Sequence, residues 1–181
     1  RRTWSPGRPW RDAFAETILA LTRETGLVLV SPDDPAIKAL ARDLFAAEAT
    51  DWEATFEALT AQTERLRSAG FHAQIEPAPL NLFLLDGDDR LALDPGASGV
   101  RVRQTGARVD LAETARQRPG ALSPNVVLRP VMQDALFPTV AYVAGPGETA
   151  YFAQLRGVYE RFGVPMPAIV PRLSVTLVPA S

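Results

Sequence analysis

The chain has 181 residues, the size of one domain or of a domain with an appendage. Apolar residues make up 46% of it, enough for a core and against global disorder, while 19 basic and 21 acidic side chains leave a net charge of −2, without the basic excess of a nucleic-acid surface. The absence of cysteine excludes a disulfide scaffold, a thiolate metal site and a cysteine nucleophile in this chain, and a single histidine, His72, excludes a two-histidine metal motif.

Between Pro9 and Thr25 the residues Trp10, Phe14, Ile18 and Leu21 fall at helical spacing, with Gly26 as a C-terminal cap. Leu27-Val28-Leu29-Val30 follows as a continuous apolar run, which predicts a buried parallel strand. In Ser31-Pro32-Asp33-Asp34-Pro35 an aspartate can accept from the first N–H groups of a second helix, whose buried stripe is Ile37, Leu40, Ala41, Leu44 and Phe45. Thr50 and Glu53 stand at capping-box spacing before a third helix that buries Trp52, Phe56, Leu59 and Leu66 and ends before Gly70. This order predicts an α/β layered domain with a mainly parallel sheet, because parallel strands need helical crossovers.

Residues 71–110 read as a small antiparallel elaboration beside that sheet. Asn81–Leu85 is a strand, Asp86-Gly87-Asp88-Asp89 a turn, Arg90–Leu93 its hairpin return, and Val100–Arg103 a half-exposed strand. A short helix spans about Leu111 to Gln117. Asn125–Leu128 is a strand or tight loop, and Pro130 starts a helix that stops before Pro138. Thr139–Val143 predicts a buried strand. Gly145-Pro146-Gly147-Glu148 turns it into a helix carrying Tyr151, Leu155, Val158, Tyr159 and Phe162, capped by Gly163, and Ala168–Val170 and Val175–Val178 read as strands. The opening Arg1-Arg2-Thr3-Trp4 and the strand-like close suggest cuts within a longer folded protein. No apolar run is long enough to cross a bilayer, which favours a cytosolic setting.

Two segments concentrate polar chemistry. Gly145 and Gly147 lie where a strand meets a helix N-terminus, the place where open α/β sheets bind anions; the competing reading is a plain turn with Glu148 complementing the dipole. Asn125, Arg129, Gln133 and Asp134 can form a polar wall, with Arg129 gripping a carboxylate or phosphate in a fork, or an internal Arg129–Asp134 ion pair can form instead. Arg172, between two strand-like runs, is either a second anion contact or a solvated loop residue. His72 is a general acid or base, or it stabilises a helix C-terminus. Asp86, Asp88 and Asp89 lack the spaced ligands of a calcium loop. Arg101, Arg103 and Arg108 form a basic edge without interleaved aromatics, so nucleic acid is not an expected partner.

Two long runs carry a resemblance: Leu122-Ser123-Pro124-Asn125-Val126-Val127-Leu128-Arg129-Pro130-Val131-Met132-Gln133-Asp134, and Phe137-Pro138-Thr139-Val140-Ala141-Tyr142-Val143-Ala144-Gly145-Pro146-Gly147-Glu148. With Gly26–Pro35, Gly70–Gln74 and Phe162–Pro167 they resemble the bacillithiol biosynthesis cysteine-adding enzymes, the BshC family. The resemblance implies a Rossmann-like core and a cytoplasmic ligase that forms an amide bond between cysteine and the amino group of glucosaminyl malate. It implies further segments, an N-terminal part of the core and a C-terminal coiled coil through which a homodimer can form, and it expects catalysis from the intact protein rather than from this piece alone. It also favours function at Asn125, Arg129, Gln133, Asp134, Gly145, Gly147 and Glu148. Asn125, Arg129, Gln133, Gly145, Gly147, Arg172 and His72 are the substrate-binding candidates. Asp134 and Glu148 are the catalytic candidates. ATP is the usual carboxyl activator, but no ATP motif is recognisable and the cofactor is unassigned; no metal and no membrane partner is expected. Two competing readings remain: a non-catalytic α/β scaffold whose glycine loop is only a turn, and a sugar- or nucleotide-handling transferase.

Overall fold

The computed structural model describes residues 3–87 and 89–176, and the chain divides into two units, Arg1–Pro32 and Asp33–Ser181. In the first unit helix α1 (Trp10–Leu21) follows Pro9, whose fixed φ suits a helix entrance. Trp10 and Phe14, four residues apart, stack with ring centroids 5.2 Å apart, and Trp4 donates its indole N–H to Thr17 Oγ1 at 2.9 Å. The helix ends before the expected cap, so Gly26 serves a later turn at φ +75°. Leu27–Val30 forms no strand, and its side chains are 42–77% exposed. The expected buried strand is corrected here: an apolar run becomes a strand only where a neighbour completes its ladder, and this unit offers a single helix.

In the second unit Asp34 caps α2 (Pro35–Leu40) by accepting from the Ala36 N–H at 2.8 Å. Ala41 breaks the expected single helix, and α3 (Arg42–Thr50) follows. The Thr50–Glu53 capping box does not form. Thr50 is the last residue of α3 and its hydroxyl bonds back to Ala46 O at 2.7 Å, so α4 (Trp52–Ser68) starts after Asp51 without a side-chain cap.

The main sheet is antiparallel, which corrects the expectation of a mainly parallel one. Strands β1 (Leu82–Asp86), β2 (Asp89–Gly96), β3 (Gly99–Val102), β4 (Arg108–Val109) and β5 (Leu122–Pro124) lie in the order β4-β3-β2-β1-β5. Phe83 faces Ala92 on one side and Ser123 on the other, and Leu93 faces Val102. The reason lies in the connections. Successive strands β1 to β4 are joined by short turns at Gly87, at Gly96–Gly99 and at Gly106, which leave no room for the crossover that parallel pairing needs. Residues 71–110 therefore supply four of the five strands of the main sheet, not an elaboration beside it. Asp88 of the first turn lies outside the described residues.

Helix α5 (Leu111–Gln117), capped by Asp110, and the 3-10 turn Pro119–Ala121 lead into β5. After α6 (Leu128–Leu136), β6 (Ala141–Ala144) pairs in parallel with β7 (Ala168–Pro171), and α7 (Pro146–Phe162) is their crossover. This is the one parallel pair among the described residues. Gly163 closes α7 at φ +63°, as its sequence position predicts. Val175 and Thr176 form no strand, and Leu177 and Val178 lie outside the described residues.

Two hydrophobic clusters share α6 as a wall. Leu128 and Met132 face Phe45, Leu82, Leu93 and Leu122, whereas Val127 and Val131 face Leu59, Phe152, Leu155 and Val158. On the second side α4 and α7 run antiparallel, with Ala58 against Gly157 and Thr63 against Gln154. A β-carbon on Gly157 would meet Ala58 O at 3.1 Å, so any larger residue would push the two helices apart by a few tenths of an ångström.

Candidate functional site

Helix α6 is aimed by a pair of asparagines. Asn81 and Asn125 extend the β1–β5 pairing by one residue: the Asn125 N–H donates to Asn81 O at 2.9 Å, and Asn125 Nδ2 donates to Asn81 Oδ1 at 2.9 Å. The other side of the Asn125 amide faces the helix, where Oδ1 accepts from the Val127 and Leu128 N–H groups at 2.8 and 3.2 Å. Pro130 falls within the first turn, where its missing N–H costs nothing. The apolar positions of α6 point into the two clusters, which leaves Arg129 and Gln133, one turn apart, on a half-buried row.

Arg129 reaches across to α7 and donates to the Tyr151 hydroxyl at 3.3 Å. It is not paired with Asp134. That carboxylate is buried, accepting a short bond from the Tyr159 hydroxyl and one from Gln133 Nε2 at 3.3 Å. Burial, then the Asp134 bond, pushes the Tyr159 hydroxyl well above the ordinary phenol range.

At the start of α7, Pro146 takes the first helical position and Glu148 the third. Glu148 Oε2 accepts from the Gly145 N–H at 2.8 Å, and Oε1 accepts from the Tyr142 hydroxyl at 2.8 Å. These two bonds, with Arg172 and Arg129 nearby, hold the Glu148 carboxyl below the usual range, so it is ionised at neutral pH. Burial and the bond to Glu148 push Tyr142 up to about 12. Arg172 follows β7, and its N–H continues the parallel ladder to Ala144 O at 2.8 Å. Its side chain folds over Gly145, where a β-carbon would lie 3.0 Å from Nη2 and 3.3 Å from Cζ. Among the described residues the Arg172 guanidinium has no hydrogen-bond or salt-bridge partner, so its donors are free for a ligand.

The structure thus gathers Arg129, Gly145, Glu148 and Arg172, from three elements, around the α7 N-terminus. Two guanidinium groups, a helix N-terminus and the exposed Gly147 backbone suit a ligand bearing carboxylates. Gln133 shares the Arg129 row, and Asn125 is occupied in aiming the helix.

His72 lies away from this cluster, in the segment between α4 and β1. Buried Gln154 ties its loop down: Oε1 accepts from the Gln74 and Ile75 N–H groups at 2.8 and 3.0 Å, and Nε2 donates to Thr63 Oγ1 and Ile75 O at 3.0 and 2.8 Å. His72 is exposed and lines a cleft of about 310 Å³ with Leu66, Phe71, Gln74, Ala150 and Ala153. It does not close α4, whose end is satisfied by the Gly70 and Phe71 N–H groups bonding to Arg67 O and Leu66 O. Tyr142 and Tyr151, which read from sequence as core aromatics, bring hydroxyls to the cluster; a tyrosine three residues after Glu148 on a helix facing Arg129 is the signal that could have shown it. Among the described residues no group of three or more metal-binding side chains comes together, and no helix is long and apolar enough to cross a membrane.

Residues 1–173 match the family model described as bacillithiol biosynthesis BshC, N-terminal Rossmann-like domain. Similar proteins carry the name "Putative cysteine ligase BshC": that of Salinibacter ruber is 46% identical over 182 residues, covering 98% of this chain and 33% of the relative. Those of Chloroherpeton thalassium and Geobacillus thermodenitrificans are 38% and 42% identical, covering 98% and 94% of this chain and 32% and 33% of the relatives. The chain therefore spans about a third of the length of the relatives it matches.

Proposed function

This chain belongs to the bacillithiol biosynthesis BshC family, and from that premise we propose that it forms the substrate-holding part of a ligase joining cysteine to the amino group of glucosaminyl malate. The carrying observation is the Arg172 guanidinium seated over Gly145, without a hydrogen-bond partner among the described residues and in the same cluster as Arg129 and the α7 N-terminus. A malyl group presents two carboxylates, and the cluster presents two arginines. Each can grip one carboxylate in a two-bond fork. Gln133, beside Arg129, is placed to read a sugar hydroxyl.

Glu148 is the better of the two carboxylates to orient the attacking amine. It is ionised, held at both oxygens and beside the arginines, so it can accept a hydrogen bond from the neutral amine of the sugar without needing to move. Asp134 is already closed on Tyr159 within the core, and its part is to hold α6. Activation of the carboxyl is assigned to no residue of this chain.

The test is the thermal midpoint of the intact protein with and without glucosaminyl malate. A rise that grows with ligand concentration supports the reading. A rise with nucleotide sugars and none with glucosaminyl malate supports a transferase instead, and no rise with either, even with cysteine present, supports a scaffold.

A further inference from the structure

Glu48 on α3 is 0% exposed, and every hydrogen bond it makes is donated to it. Its Oε2 accepts from Thr55 Oγ1 at 2.6 Å, and its Oε1 accepts from the Asn81 N–H at 3.1 Å and from Asn81 Nδ2 at 2.9 Å. Burial raises its pKa, opposed by these bonds and by the charge of Arg161. A buried carboxylate is costly where an apolar side chain would fill the same space, so its bonds call for a reason.

The reason is polarity passed along a chain of amides. A carboxylate offers only acceptors, so Asn81 must turn its NH2 toward Glu48 and its carbonyl oxygen toward Asn125. Asn125 must then turn its own NH2 toward Asn81, which leaves its oxygen facing the Val127 and Leu128 N–H groups. Arg129 sits in that same first turn. We infer that Glu48 is a positioning residue for the site: through Asn81 and Asn125 it sets the start of α6 and hence the placement of Arg129. The role of Arg129 rests on the function proposed above, whereas the relay rests on geometry alone.

Glu48→Met keeps much of the volume but offers Asn81 no oxygen to accept from, so it no longer enforces the polarity. In the intact protein the Val127 and Leu128 amides should exchange with solvent about tenfold faster in this variant, with the β1–β2 amides unchanged. Affinity for glucosaminyl malate should fall several-fold, while the protected β1–β2 amides show that the variant is folded. Unchanged exchange at Val127 and Leu128 in the folded variant overturns the relay. Where the variant does not fold, the wild-type side-chain amides decide: protected NH2 protons on both Asn81 and Asn125 support the relay, and surface-like exchange at Asn125 overturns it. A wild-type protein that ignores glucosaminyl malate removes the functional reading and leaves the exchange result standing.

Discussion

The Arg172 guanidinium lies across Gly145, with Nη2 3.0 Å from the place a β-carbon would take. Gly145 has φ −71° and ψ 170°, which any residue can adopt, so the glycine is needed there for space rather than for backbone freedom. Gly145→Ala should change stability by no more than about 1 kcal/mol, because only the end of a flexible side chain must move. It should nevertheless weaken binding of glucosaminyl malate as Arg172→Ala does. Thermal unfolding and titration of the same variant check both halves.

Asp134 and Tyr159 supply a second prediction. Removing the hydroxyl with Tyr159→Phe leaves a buried carboxylate short of its strongest donor, at a cost of about 1–3 kcal/mol. Asp134→Asn keeps an oxygen for Tyr159 and removes the buried charge, so it should cost less. Urea unfolding of the two variants gives the order, and the reverse order would mean that the carboxylate charge itself stabilises this contact.

Gln154 holds the His72 loop with all of its amide atoms used. Gln154→Ala frees the Gln74 and Ile75 N–H groups and should cost about 2 kcal/mol or more. Amide exchange should rise at Gln74 and Ile75 before it rises along β1. Equal protection in variant and wild type would show that the loop is held by something other than this side chain.

The two glutamates should give opposite pH slopes. Glu48 has a folded-state pKa raised above its ordinary value of 4.5, chiefly by burial, so its contribution is full below 4.5 and is lost as pH rises through the raised value. Glu148 has a lowered pKa, chiefly from the Gly145 N–H, so its contribution is present above 4.5 and is lost as pH falls through the lowered value. Unfolding free energies measured across this range should therefore show Glu48→Gln gaining on wild type toward higher pH. Glu148→Gln should gain on it toward acid.

Local chemistry was legible in the sequence at several places where the partner lies within a few residues, although the Thr50–Glu53 capping box was not one of them. The Asp34 cap, the β1–β2 hairpin, the Gly163 helix stop and the strand-to-helix turn at Gly145 all have that character. What failed depended on distant partners. Leu27–Val30 carries the apolar signature of a strand without its pairing, and the antiparallel hairpin of β1 and β2 was read correctly but not as part of the main sheet, because nothing local shows that β5 joins it. Asn125 and Arg129 were visible as a polar run, but the bond of Asn125 to Asn81 spans 44 positions and that of Asn81 to Glu48 spans 33. Nothing near Glu48 marks it as different from the other glutamates of a helix surface.

The most direct measurement is a calorimetric titration of glucosaminyl malate into the intact protein, wild type against Arg172→Ala. Beyond its attraction for Glu148, Arg172 bears little on folding, since its guanidinium has no hydrogen-bond or salt-bridge partner among the described residues. The account predicts binding weakened by about tenfold or more at an unchanged thermal midpoint, as befits a lost charge-assisted fork. Equal affinity in the two proteins would contradict the placement of the carboxylate site.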